Sequence, residues 1–369
     1  MLNIDSLYDV PDFEYIMGRL GESLSKGVKI SDGDESQQYI ERKAELKEKM
    51  LSVYGITKPL SVKQVTDYAL QNLTSDIINY CLKDRVLSVK QEDLGKVNDS
   101  EFIADLREYR KLHSKTMRYK KRSGELVYPK ASLGSTNRIY YSNPNIISYP
   151  KEAFNCLDGE YLISADVKNQ EPLIWNEIMG FKEFRKFFCT EKGFYVELFN
   201  HMYKREGTKE ELSEFKTCWL SAMYGSNLRE HSTKLISLDP LVEYFERDTV
   251  KKARDRFKKT AYTRQRKCTT YFGTILKPSG NAKVNNVFSA LNMPIQGTAS
   301  DIMAILLKHC YTTLDNSISV YFTRFDEIIF RVSDTVPKEE ALKYIKELTS
   351  HRVDDWVPFD VDVEVIGGV

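Results

Sequence analysis

Two aspartates stand where carboxylates are costly. Asp166 follows the run Tyr161-Leu162-Ile163-Ser164-Ala165, and Asp326 lies between Tyr321-Phe322 and Ile328-Ile329-Phe330. Runs of this kind read as strands. Both acids therefore sit at strand ends in apolar company, where an ionised side chain needs a partner or a metal. Two aspartates meeting side by side from separate strands repel each other, and Mg²⁺ removes the repulsion. Two ions about 3.5–4 Å apart on such acids make a phosphoryl-transfer site. The competing reading is that each Asp serves only a tight turn at its strand end.

A second feature bears on the same chemistry. Thr208-Lys209-Glu210-Glu211 is a capping box and starts a helix near Lys209. Lys216, Leu220 and Tyr224 follow at i, i+4 and i+8, on one face of it. Eight residues span about 12 Å. That length suits a nucleoside triphosphate, with phosphates near Lys216, where the helix dipole also favours anions, and the base near Tyr224. An amphipathic helix with one exposed lysine fits the same residues. Farther on, Lys251, Lys252, Arg254, Arg256, Lys258, Lys259, Arg264, Arg266 and Lys267 enclose a single acid, Asp255. The stretch reads either as a solvated helix face or as a track for single-stranded template, with Tyr262 and Tyr271 available to stack.

These residues need elements to hold them. The first 35 or so residues read as an arm or short helices. Helices are expected over Ser36–Val53, stopped by Gly55, and over Ser61–Asn72, Ser75–Lys83 and Ser100–Met117. Residues 119–150 form a punctuated loop and short-strand segment. A strand over Gly159–Val167 precedes helical character from Pro172 to about Asp255. A hairpin-like stretch, Thr269–Leu276, leads to a buried helix from Thr298. Strands Ser317–Thr323 and Ile328–Val332 flank Asp326-Glu327, and a helix Lys338–Thr349 and a strand Asp360–Ile366 close the chain. Helices outnumber strands and long insertions separate the strands, which makes the class α+β. The 369 residues are 41% hydrophobic and 29% charged, an ordinary soluble composition. Net charge is +1, so a polyanionic partner must be argued from local charge. The six cysteines show no metal-ligand spacing, and neither a signal segment nor a membrane span is found. A reducing cytoplasm is the expected location.

Several segments together resemble family A DNA polymerases, the bacterial DNA polymerase I group. Asn292-Met293-Pro294-Ile295-Gln296-Gly297-Thr298-Ala299-Ser300-Asp301-Ile302 matches the family's N-x-P-x-Q-G-T-A-x-D-I. Thr136-Asn137-Arg138 with Ser142-Asn143-Pro144-Asn145 is similar to T-G-R-x-x-x-S-x-P-N. Asp166 and Glu171, five apart, resemble motif A, Lys216 to Tyr224-Gly225 motif B, and Asp326-Glu327 the end of motif C. The order is collinear from about residue 100 to 369.

The resemblance implies a right-hand polymerase with a palm antiparallel sheet, helical fingers and a small helical thumb. Residues 1–37 would be an N-terminal arm, 38–117 the thumb, 118–190 with 285–369 the palm, and 191–284 the fingers. It implies that Asp166 and Asp326 ligate two Mg²⁺, for which Mn²⁺ can substitute, with the Val167 carbonyl assisting and Glu327 beside them. Lys216 would hold the triphosphate and protonate the pyrophosphate, Tyr224 would close on the nascent pair, and Glu171 would exclude a ribose 2′-OH. Arg138, Asn292 and Gln296 would probe primer and template in the minor groove. Lys251, Arg254 and Lys258 would follow the template.

Some family positions differ. Leu212 replaces an Arg before the motif B lysine, Leu220 a bulky aromatic, Phe325 the motif C histidine and Phe288 an Arg. No histidine before motif B clearly faces the triphosphate, and Lys192 is the nearby candidate. The expected activity is template-directed transfer of dNTP to a 3′-OH, without a proofreading exonuclease and with the ability to start strands. The expected partners are DNA template, dNTPs, a small accessory or single-strand-binding protein and a helicase, with no membrane. Compact members of this kind occur on phages and mobile elements. Two alternatives stand beside this: a single-subunit RNA polymerase, and a degenerate polymerase acting as a nucleic-acid scaffold.

Overall fold

The computed structural model describes residues 1–31, 35–73, 82–83, 86–87, 100–120, 124–231, 233, 235–261, 268–276 and 287–367. Tyr262, Arg264, Arg266, Lys267 and most of the expected Ser75–Lys83 helix lie outside the described residues, as do the side chains of Lys258 and Phe288. The chain forms two compact units, one of residues 1–28, 128–147 and 155–369, the other of 29–127 and 148–154.

The second unit is helical. Helices Glu35–Ser52, Val62–Asn72 and Glu101–Lys120 bury Met50, Tyr54, Val65, Phe102, Ile103 and Leu106 against one another. Gly55 ends the first helix as expected. At φ +64 it lets its own N–H reach the Leu51 carbonyl (3.0 Å) and the Ile56 N–H reach that of Met50 (2.8 Å). Asp105 lies between the Tyr54 hydroxyl and the Lys49 ammonium, each at 2.7 Å. Leu82–Lys83 form a short strand paired with Val86–Leu87, not the end of a helix.

The first unit carries the chemistry. A four-stranded antiparallel sheet runs in the order Ile318–Arg324, Glu327–Ser333, Glu160–Val167, Val361–Gly367. The α+β expectation holds, and the strand boundaries fall within a residue or two of the pattern-based ones. The strands bearing Tyr161, Ile163, Ile328, Phe330 and Val332 pack on the helix Val287–Thr313 through Leu291, Ile295, Ala299, Ile302 and Leu306. This helix begins eleven residues before the expected Thr298, with Pro294 inside it. Burial on several sides outweighs the one backbone bond that proline removes.

The N-terminal residues, expected as an arm or short helices, hold a short strand and a helix. Leu2–Ile4 pairs in parallel with His351–Val353, a strand the sequence reading did not foresee. Helix Phe13–Ser25, capped by Asp12, follows. Its Ser23 hydroxyl donates to the Val320 and Tyr321 carbonyls at the sheet edge, both at 2.9 Å. The segment 170–261 is a succession of helices around an aromatic core. There Trp219 meets Phe245 at 4.9 Å and Trp175 at 6.0 Å, so much of the aromatic content is structural. Among the described residues no helix is long and apolar enough to cross a membrane.

Candidate active site

The sheet register brings the two aspartates together. Glu327 stands opposite Asp166 on one side, and Asp362 stands opposite it on the other. Asp326 occupies the two-residue connection just before Glu327, and its carbonyl accepts the Val167 N–H at 3.0 Å. The strand ends predicted to meet do meet; Asp166 is itself a paired strand residue, and Asp326 lies in a turn. Burial raises the Asp326 carboxyl above its ordinary range. Arg138 and Lys216 pull it back down while Glu327 pushes it up further. Lys216 and Arg138, from separate parts of the chain, thus both act on this one acid.

Glu327 is adjacent but occupied. It is 4% exposed, its carboxylate accepts the Ser164 hydroxyl at 2.5 Å, and it pairs with Arg324 at 3.3 Å. That geometry makes it a support of the strand ends.

Glu171 lies in the first turn of helix Gln170–Met179. The Gln170 amide reaches the Ala299 carbonyl at 3.5 Å and ties this turn to the long helix. The Glu171 carboxylate accepts from the Arg138 guanidinium on one oxygen and from the Tyr224 hydroxyl on the other. Burial, with the negative field of Asp326 added, pushes it up to about 7. The Arg138 cation and the Tyr224 donor act the opposite way, favouring the carboxylate.

Tyr224 and Lys216 come from helix Lys209–Met223, whose capping box forms as expected. The opposite face buries Phe215, Cys218, Trp219, Ala222 and Met223. Lys216 is exposed and stands over the ring of Tyr195 at 5.2 Å. Tyr195, in helix Phe194–Tyr203, is an aromatic neighbour of Lys216. Burial and the charge of Glu171 push its hydroxyl above the ordinary tyrosine range. Lys192 pairs instead with Glu206 at 3.3 Å, on the surface. Leu212 and Leu220 pack against the core.

The hairpin Lys130–Leu133 and Ile139–Ser142 delivers Arg138. Tyr141, which the sequence reading missed, anchors it: its buried hydroxyl accepts the Thr323 N–H at 3.0 Å and meets the Thr323 hydroxyl at 3.1 Å. Phe325 lies under the Arg138 guanidinium at 5.4 Å and edge-on to Tyr140 at 5.8 Å. Arg138, Gln170, Ser300, Thr323 and Phe325 line one cleft. Asn292 and Gln296 precede Ser300 at i−8 and i−4, which puts them on the helix face that reaches it.

The basic stretch divides. Lys251 and Lys252 are exposed on helix Asp248–Ala261. Arg254, expected on template, turns inward: its guanidinium donates to the Ala222 carbonyl and stacks over Phe245 at 4.7 Å. Tyr271 is engaged by Asp354 (2.7 Å) and Trp356 (ring centroids 4.8 Å). Among the described residues no three or more His, Cys, Asp or Glu side chains gather as a metal cluster.

The family model for DNA polymerase family A matches residues 33–367. Among solved structures, the chain is similar to the POL domain of Pol1 from M. smegmatis in complex with DNA primer-template and dNTP. The TM-score is 0.74 and the identity 18%, covering 95% of this chain and 69% of the other. No curated protein matches.

Proposed function

The chain belongs to DNA polymerase family A and is a DNA-directed DNA polymerase, and from that premise we propose that Asp166 and Asp326 are its metal-binding catalytic pair. The supporting observation is the adjacency of the two acids at one end of the sheet, with Lys216 and Arg138 both acting on Asp326. Family membership also removes the RNA polymerase alternative.

Two carboxylates suit Mg²⁺, which keeps water and substrate phosphates for its remaining positions. Burial raises the Asp326 carboxyl, and a cation restores its charge. Asp166, Asp326 and the Val167 carbonyl would hold the ions, whose chemistry is to polarise the α-phosphate and stabilise both the attacking and the leaving oxygen. Lys216 neutralises the triphosphate and is placed to give its proton to the departing pyrophosphate. Tyr195 beneath it directs the ammonium through the face of its ring. Glu171, held between Arg138 and Tyr224, fills the space a 2′-OH would need. Asn292, Gln296 and Arg138 read the minor groove of primer and template, and Lys251 follows the template backbone. The sheet with its long helix acts as palm, the helices within 191–284 as fingers, and helices Glu35–Ser52, Val62–Asn72 and Glu101–Lys120 as thumb.

The finer proposal is that the enzyme also starts strands, helped by a partner that orders the template. At Phe325 it offers an apolar ring, not a hydrogen-bond donor, beside the catalytic acid, and Leu212 supplies no phosphate contact. A weaker hold on the primer strand favours single-stranded template.

Primer extension with labelled dNTP or NTP, with Mg²⁺ or with EDTA, tests the assignment. Asp166→Ala and Asp326→Ala should each abolish incorporation while preserving fold and template binding. Substantial residual activity in either variant removes the two-metal reading.

A further inference from the structure

Helix Lys209–Met223 ends in a closed cap. Tyr224 is the C-cap residue and Gly225 follows at φ +96. The Ser226 N–H bonds the Ser221 carbonyl at 3.0 Å, and the Gly225 N–H bonds the Ala222 carbonyl at 2.8 Å. These are the two bonds of a Schellman motif, and the left-handed position explains the glycine after Tyr224. The Ala222 carbonyl has a second lone pair, and the Arg254 guanidinium occupies it.

Arg254 is committed to this contact. Its helix, Asp248–Ala261, presents Lys251 and Lys252 to solvent while Val250, Ala253 and Phe257 pack inward, and Arg254 lies with the inward set. The guanidinium covers the ring of Phe245, itself in contact with Trp219 and Trp175. Its Nε has no hydrogen-bond partner among the described residues. A partly buried cation held by one carbonyl and one ring face contributes little to stability. It does fix one thing, the Ala222 carbonyl in the last turn of the helix that carries Tyr224.

We infer that Arg254 is a positioning residue for nucleotide selection: it locks the helix cap so that the Tyr224 hydroxyl stays on Glu171. This rests on the reading of Tyr224 and Glu171 as the nucleotide site. With the latch gone, the cap keeps its Schellman bonds but loses its tie to the aromatic core. The Tyr224 ring is then free to leave Glu171, and sugar discrimination relaxes.

The test uses the full chain with Arg254→Met, which keeps apolar volume, and Arg254→Lys, which keeps a donor for the carbonyl. Tyr224→Phe and Lys251→Ala serve as references. Steady-state incorporation of dNTP and rNTP is measured beside DNA binding across a salt series. Arg254→Met should raise KM for dNTP about tenfold with a much smaller change in kcat, and narrow the dNTP/rNTP ratio to a similar extent. DNA affinity and its salt slope should stay as in wild type, and Arg254→Lys should recover most of the loss. Tyr224→Phe should show the same pattern, and the double variant Tyr224→Phe with Arg254→Met should be little worse than either alone. If Arg254→Met instead weakens DNA binding and lowers the salt slope, as Lys251→Ala should, Arg254 is a template contact and the latch is wrong. Unchanged KM and unchanged sugar ratio in both Arg254 variants overturn it as well. Should Arg254→Met not fold, an Arg254→Gln variant with normal stability, whose shorter neutral side chain cannot span to the Ala222 carbonyl, decides: a KM and a sugar ratio shifted from wild type toward Tyr224→Phe support the latch, and wild-type values overturn it. If Tyr224→Phe itself changes neither KM nor the ratio, the reading of the nucleotide site has failed, whatever Arg254 does.

Discussion

Asp301 is fully buried in the long helix, within the segment that most closely follows the family pattern. One carboxylate oxygen accepts the Thr270 hydroxyl at 2.5 Å, and the other has no partner among the described residues. Burial pushes the carboxyl from an ordinary 3.8 up to about 7, against the opposing pull of the Thr270 and Thr274 hydroxyls. The folded protein therefore holds a proton that the unfolded chain has released between these two values. Stability from this group is greatest below about pH 4, falls as pH rises through the window, and is fully lost above about 7. Three units correspond to about 4 kcal/mol as an upper bound. Asp301→Asn cannot ionise. It still accepts from Thr270 but buries an amide N–H at a cost of about 1–3 kcal/mol. The variant should be less stable than wild type at pH 4 and at least as stable at pH 8. Urea unfolding at four or five pH values, followed by the fluorescence of Trp175, Trp219 and Trp356, checks this. All three tryptophans lie in the unit that contains Asp301. Parallel pH curves for the two proteins would refute the assignment, because only the loss of a titrating group with a raised pKa flattens the slope.

Other outcomes follow from the same geometry. Glu171→Ala should raise ribonucleotide use relative to deoxyribonucleotide, and equal discrimination in variant and wild type would show that Glu171 is not the sugar gate. Gly297→Ala places a methyl against Leu276 and 2.8 Å from the Thr270 side chain. It should cost about 1–3 kcal/mol in denaturation by pushing the hairpin Cys268–Leu276 off the long helix. Lys251→Ala should weaken template binding uniformly across sequences and reduce the salt slope by about one, as measured by anisotropy. Wild type should bind single-stranded DNA at least as tightly as a matched primed duplex and form product on unprimed template when a partner orders it. Clear preference for primed duplex, with no unprimed product, leaves a plain primer-dependent polymerase.

What was legible in the sequence was local. Asp166 and Asp326 could be placed because apolar strands announce their own ends, and pairing then fixes which ends meet. The capping box at Thr208 and the glycine at 225 mark the limits of one helix, so the face bearing Lys216 and Tyr224 could be drawn from spacing alone. Pairing across the chain was not legible. Nothing near Leu2–Ile4 points to His351–Val353, since a parallel edge pair leaves no short-range pattern. The start of the long helix was hidden by Pro294, which reads as a break until burial on several sides is known. Arg254 was hidden among like charges. A signal existed all the same: Val250, Ala253, Arg254 and Phe257 fall at i, i+3, i+4 and i+7, which is the spacing of an inward face.

The family departure at Phe325 has a physical counterpart nearby. A bulky residue at φ +58 is a costly conformation, and here it places an apolar ring at the tip of the turn that carries Asp326. That ring receives the Arg138 guanidinium on its face, while Tyr140 meets its edge. A protonated histidine in the same place would put a second cation beside Arg138. A phenylalanine leaves Arg138 without that competitor, attracted to the ring, joined to Glu171 and acting with Lys216 on Asp326. One arginine then links the turn of Asp326 to Glu171. Phe325 thus gives Arg138 an apolar mount beside Asp326, and the proposed metal acids and the proposed sugar gate share that one support.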